Sequence, residues 1–153
     1  MTSPEGAGST TTLADVPDLA ALVRRFPVRD SEKPWTETEV REIADELTAE
    51  IERLKAELAA ADEVLSDLLR DSGDGAGDDQ ADSGSSALER EHELTLVNNT
   101  RDLLAQTSHA MARIGRGTFG TCESCGKAVG KARLQAFPRA TLCVVCKQRE
   151  ERR

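Results

Sequence analysis

The sequence predicts a mainly α-helical protein in which a long antiparallel helical hairpin, a coiled coil, precedes a small four-cysteine zinc finger and a C-terminal helix. Three observations predict it. The stretch Thr36 to Arg70 holds no glycine or proline and repeats apolar residues at three- and four-residue steps. A second helical stretch begins near Ser86. The only cysteines form two C-x-x-C pairs, Cys122 with Cys125 and Cys143 with Cys146, with seventeen residues between the pairs. Aromatic residues are few, Trp35 and three phenylalanines in 153 residues, which leaves little material for a large globular core and favours an elongated chain.

Residues 1–34 read as a flexible N-terminal extension. Met1 to Thr12 is rich in Ser, Thr and Gly, a composition that does not support a core. It has neither a basic start nor an apolar stretch, so no secretory leader is expected and a reducing cytoplasm is the expected compartment. No apolar run is long enough to predict a membrane span. Asp15 to Arg25 can form a short amphipathic helix with Pro17 in its first turn, and Pro27 and Pro34 favour an extended connection after it. Three roles stay open for this segment: docking to a partner, packing on the hairpin, or mobility.

The hairpin is expected over residues 35–116. Its first helix carries a seam at Val40, Ile43, Leu47, Ile51, Leu54, Leu58, Ala61, Leu65 and Leu68, a coiled-coil spacing with one irregular step. Thr36 and Glu39 form a capping box, and Glu52, Arg53, Lys55 and Glu57 give a charged outer face. The second helix is expected to start at the Ser86–Glu89 capping box and to run to about Ile114. Leu94, Val97, Leu104, Met111 and Ile114 lie on one side, interrupted by Arg101, Thr107 and Ser108. Neither stripe can be buried alone, which predicts that the helices pair.

Between them, residues 71–86 are expected to form an acidic tip whose glycines end both helices. Asp71 to Ser85 holds five aspartates and no basic residue. Such a tip can place carboxylates near a divalent ion or basic residues of a partner, or it can be a solvated loop. It lacks the ligand pattern of an EF-hand.

Residues 117–153 are expected to hold one structural zinc ion through Cys122, Cys125, Cys143 and Cys146. Each C-x-x-C presents two sulfurs on a tight turn, and Gly126 supplies the permissive backbone after the first pair. A disulfide framework fits poorly with a reducing compartment, and a redox motif is normally a single pair. Four cysteines leave no open coordination position for catalytic water. His92 and His109 are not required as ligands and read as helix-surface residues. No nucleophile, base and orienting group can be assembled, so no enzyme is expected. Charge is divided unevenly: residues 1–121 hold 25 acidic and 12 basic side chains, whereas 122–153 hold 3 acidic and 8 basic. That asymmetry suggests two different contact surfaces.

The runs Gly117-Thr-Phe-Gly-Thr-Cys122-Glu-Ser-Cys125-Gly and Arg133-Leu-Gln-Ala-Phe-Pro-Arg-Ala-Thr-Leu-Cys143-Val-Val-Cys146, behind a long acidic-tipped hairpin, closely resemble the DksA/TraR family of bacterial transcription factors. The resemblance covers about residues 36–150. It implies RNA polymerase as partner, with the coiled coil entering the secondary channel and altering promoter-complex stability without RNA cleavage. The family's D-x-x-D-x-A tip motif is similar to Asp79-Gln-Ala-Asp82-Ser-Gly84, with glycine in place of alanine, so Asp79 and Asp82 are the implied contact residues. The positions implied for recognition of guanosine tetraphosphate are Gln106, Phe137 and Lys147. Only Lys147 is charged, so a weak or absent alarmone response is expected.

Two other functions compete. One is a nucleic-acid-binding zinc module using Lys127, Lys131, Arg133 and Arg139, although the acidic hairpin and scarce aromatics oppose direct DNA binding. The other is a zinc-thiolate redox sensor, which requires labile cysteines.

Overall fold

A computed structural model describes residues 12–73 and 80–153, with side chains described at 12–14, 16–71 and 84–153. A 3-10 turn, Leu13–Asp15, is followed by α1 (Leu19–Arg25), α2 (Glu37–Gly73), α3 (Gln80–Arg116), α4 (Lys131–Ala136) and α5 (Val144–Glu151). Among the described residues, one isolated antiparallel bridge, Thr121 with Ala128, is the extent of β pairing. The fold is therefore mainly α, with α2 and α3 forming the long helical hairpin. No described helix is long and apolar enough to cross a membrane.

The chain divides into two compact units, one of residues up to Ala49 with Gln106–Arg153 and one of Glu50–Ala105. In the first, the capping box at the start of α2 closes: the Thr36 hydroxyl accepts the Glu39 N–H at 3.2 Å, and the Glu39 carboxylate accepts the Thr36 N–H at 3.0 Å. Val40, Ile43, Ala44 and Leu47 of α2 are buried, as are Thr107, Ala110, Met111 and Ile114 of α3.

Leu19, Val23 and Phe26 add to the same core, so of the three roles left open for the N-terminal segment, its described residues pack. Helix α1 is shorter than the sequence suggests. Asp18 caps it by accepting the Ala21 N–H at 3.1 Å, which leaves Pro17 ahead of the helix rather than in its first turn. The scarce aromatic residues are concentrated here: the Phe119 ring lies 5.5 Å from Phe26 and 5.7 Å from Trp35, at separations typical of favourable aromatic pairs.

The second unit is a pair of helical segments. Ile51, Leu54 and Ala61 of α2 are buried with Val97 and Thr100 of α3, while Leu58, Leu65 and Leu68 are half-buried. Arg101 meets Asp62 across the pair at 3.4 Å, and on the outer face Arg53 bridges Glu50 and Glu57.

Three expectations are corrected. The α3 seam runs Val97, Thr100, Leu104, Thr107, Met111, Ile114, so Thr107 belongs to the seam, while Leu94 is 48% exposed. Threonine fits such a position because its hydroxyl can be satisfied within the helix, as Thr100 shows by donating to the Leu96 carbonyl at 2.8 Å. Helix α3 starts at Gln80, ahead of the Ser86 box, and Gly84 lies inside it instead of ending it, whereas Gly73 is the last residue of α2. A helical glycine costs about 1 kcal/mol relative to alanine, too little to stop a helix whose neighbours favour it. Of the acidic tip, residues 74–79 lie outside the described residues, Asp79 among them. Asp82 is on α3, with its side chain outside the described set.

Candidate metal centre

The first cysteine pair sits on a turn closed by backbone bonds: the Gly126 N–H donates to the Cys122 carbonyl at 3.0 Å and the Cys122 N–H to the Lys127 carbonyl at 2.7 Å. Gly126 adopts φ 77°, a left-handed conformation that a side chain would strain. The second pair begins α5, with Cys143 as its N-cap and Cys146 in its first turn. Two bonds join the knuckles: the Cys143 N–H points at Cys122 Sγ at 3.3 Å, and the Glu123 N–H donates to the Thr141 carbonyl at 2.9 Å.

All four sulfurs lie within 4.8 Å of one another. A zinc–sulfur bond of about 2.3 Å gives a tetrahedron with edges of about 3.8 Å. Cys125 and Cys143 are separated by 3.8 Å between sulfurs, the length of such an edge, and this pair reads as two ligands rather than a thiol hydrogen bond. Cys122 and Cys146 are buried, Cys143 is half-buried and Cys125 is exposed.

Burial pushes the Cys122 thiol up, but N–H donors from Cys125, Cys143 and Ser124 outweigh it and bring the pKa to about 6. Hydrogen bonding with Cys143 is the main cause that pushes Cys146 up to about 11. A divalent cation supplies the charge that lets all four be thiolates, and a saturated tetrahedron supplies structure rather than catalysis.

Around the sulfurs lies a shell that the sequence did not reveal. Arg113, 5% exposed, donates to the carbonyls of Thr118 (2.8 Å) and Thr121 and lies 3.6 Å from Glu123, fixing the segment that enters the first knuckle. Its burial lowers its own pKa. His109 hydrogen-bonds Glu123 and is the chief cause holding that carboxylate below its ordinary range. The only sequence signal for Arg113 is its place between buried Ala110 and Ile114 at the end of α3.

The N-terminal segment supports the finger from outside. Gly130, the N-cap of α4, has no side chain to cap with, and Glu32 does so from far upstream, accepting N–H bonds from Lys131 at 2.9 Å and Ala132 at 3.0 Å. Burial raises the Glu32 pKa, but these bonds and the Arg29 N–H outweigh it and leave it lowered. Lys131 Nζ lies 2.6 Å from Glu39 and 5.5 Å over the Trp35 ring, and donates to the carbonyls of Lys33 and Pro34.

Arg133 donates to the Leu142 carbonyl at 3.2 Å. Two of the four cations considered for nucleic acid are thus engaged internally. Gln106, Phe137 and Lys147 do come together, lining a cleft of about 730 Å³ with His109 and Arg139.

The fold and the cluster define a C4 zinc-finger protein carrying one structural zinc and a long helical hairpin. Residues 117–152 match the model of the prokaryotic dksA/traR C4-type zinc finger. Among curated proteins, the chain is 40% identical over 75 residues to a Caulobacter vibrioides protein named RNA polymerase-binding transcription factor DksA, covering 49% of this chain and 53% of that one. It is also 40% identical over 63 residues to the Escherichia coli protein of the same name, covering 40% and 42%. The matched region thus spans about half the length of these relatives. Transcription factor DksA2 from Pseudomonas aeruginosa has a similar solved structure, with TM-score 0.62, 28% identity, and coverage of 89% of this chain and 91% of that one.

Proposed function

We propose that this chain is a non-enzymatic, cytoplasmic transcription regulator that binds RNA polymerase, places the end of its α2/α3 hairpin in the secondary channel and changes the stability of promoter complexes. The observation that carries the reading is the joint likeness to DksA proteins, in sequence at 40% identity over 75 residues and in a fold shared over 89% of the chain. Asp79 and Asp82 are the proposed contact residues at the tip, the hairpin sets the reach, and zinc is a structural element without a chemical step. Engagement of Lys131 and Arg133 within the protein disfavours a nucleic-acid module built on those cations.

The test is binding to purified core RNA polymerase by the wild-type chain and by Asp82→Asn, followed by open-complex lifetimes with each. Binding by both proteins, with the lifetime shortened only by wild type, supports the tip mechanism. Absence of binding at micromolar protein refutes the reading.

A further inference from the structure

We propose that the zinc-finger unit carries a protein-docking cleft for an acidic amphipathic segment, seated beside the Cys143–Cys146 knuckle on α5. The cleft is about 280 Å³ and is lined by Val129, Val144 and Val145, by Arg29, Lys127 and Arg149, and by the zinc ligands Cys125, Cys143 and Cys146, so it lies against the outer side of the metal centre. It is distinct in lining from the cleft of Gln106, Phe137 and Lys147.

Val144 and Val145 are 42% and 62% exposed. Neither serves the helix, since valine is a poor helix former and the buried residue of α5 is Cys146. Adjacent exposed valines on a short surface helix suit contact with another apolar surface. The space lies just below the usual range of small-molecule cavities, so it suits anchoring side chains of a polypeptide better than a metabolite.

The charges select the partner. Lys127 and Arg149 make no ion pair among the described residues, and while the Arg29 backbone N–H donates to Glu32 at 2.9 Å, its guanidinium acts on that carboxylate only through space. No acidic side chain lines the cleft. A zinc tetrathiolate carries roughly −2 in formal charge, and three cations exceed it, leaving a positive rim about an apolar floor. A segment with leucine-like anchors and flanking carboxylates matches both features. Nucleic acid would match the rim and waste the floor. The cleft does not depend on the polymerase reading.

The test uses the zinc-loaded full chain, isotopically labelled for amide NMR and titrated with a helical peptide bearing a leucine stripe flanked by glutamates. Controls are the glutamine counterpart of that peptide, single-stranded DNA and anionic lipid vesicles. The expected result is saturable binding with amide shifts centred on Val129, Val144 and Val145, at least tenfold weaker for the glutamine peptide. Val145→Asp and Arg149→Glu should each weaken it about tenfold with zinc content and helicity unchanged. No binding at millimolar peptide, shifts centred elsewhere, equal affinity for the glutamine peptide, or preference for DNA or vesicles each overturns the proposal.

Discussion

Lys131 reaches Glu39 at 2.6 Å while standing over the ring of Trp35, joining the start of α4 to the start of α2. Both side chains are shielded, at 13% and 24% exposure, so the pair is screened less than a surface ion pair. Lys131→Met should destabilise the first unit by about 1–3 kcal/mol, and Glu39→Gln by a similar amount. In the double variant the losses should fall well short of additive, because each single change leaves the other group without its partner. Denaturant unfolding at fixed zinc measures this; additive losses would show that the two side chains act separately.

The acid response follows from the same strap. Glu32 and Glu39 are both held below their ordinary range, Glu32 by backbone N–H donors against the effect of burial and Glu39 chiefly by Lys131. A carboxylate with a depressed folded pKa contributes stability that is fully present above its unfolded value and is lost as pH falls through the folded one. Stability of the unit should therefore fall below about pH 4.5, with a shallower slope in Glu32→Gln and Glu39→Gln. An unchanged slope in both variants would place the acid sensitivity elsewhere.

Zinc removal should be visible at Trp35. The indole touches Phe119, three residues ahead of Cys122, and it is the single tryptophan. Chelation should shift its emission to the red as the knuckle loosens. Glu50–Ala105 contains no cysteine, so most of the far-ultraviolet helical signal should persist. Simultaneous loss of both signals would show that zinc supports the second unit too.

Gly84 offers a gain-of-function experiment. It is helical, and a Cβ there would meet nothing within 4 Å. Gly84→Ala should stabilise α3 by roughly 0.5–1 kcal/mol and restore the residue that the family motif carries. If the tip acts as proposed, open complexes should become shorter-lived with this variant than with wild type. A more stable variant of unchanged activity would separate helix order from tip function.

The alarmone response is expected to be weak, because Gln106 and Phe137 share the cleft of Lys147 without adding charge. Transcription from a ribosomal promoter with purified polymerase should show little synergy with guanosine tetraphosphate. Adding Gln106→Lys and Phe137→Arg should raise it if the cleft is the relevant surface. Strong synergy in the unaltered chain would refute the expectation.

The hairpin and the metal set were legible because their signals are periodic or spaced: a three-four seam in α2 and two C-x-x-C pairs. Other elements rest on contacts with no local trace. Thr107 looked like an interruption until the phase of the α3 seam placed it inward. The packing of Leu19, Val23 and Phe26 depends on a surface built from the distant half of the chain, and Glu32 as a cap for α4 depends on a partner 99 residues away. Arg113 resembled any helix-terminal arginine until the carbonyls of Thr118 and Thr121 were seen around it.

That separation between Glu32 and Lys131 also orders the path by which the protein forms. Pairing of α2 with α3 involves nearer neighbours in sequence and lowers the entropy of bringing the chain ends together. Once the hairpin has formed, its base brings the N-terminal strap and the finger within reach. The cap on α4 is therefore a late event, and mutations at Glu32 should speed unfolding while leaving the refolding rate nearly unchanged.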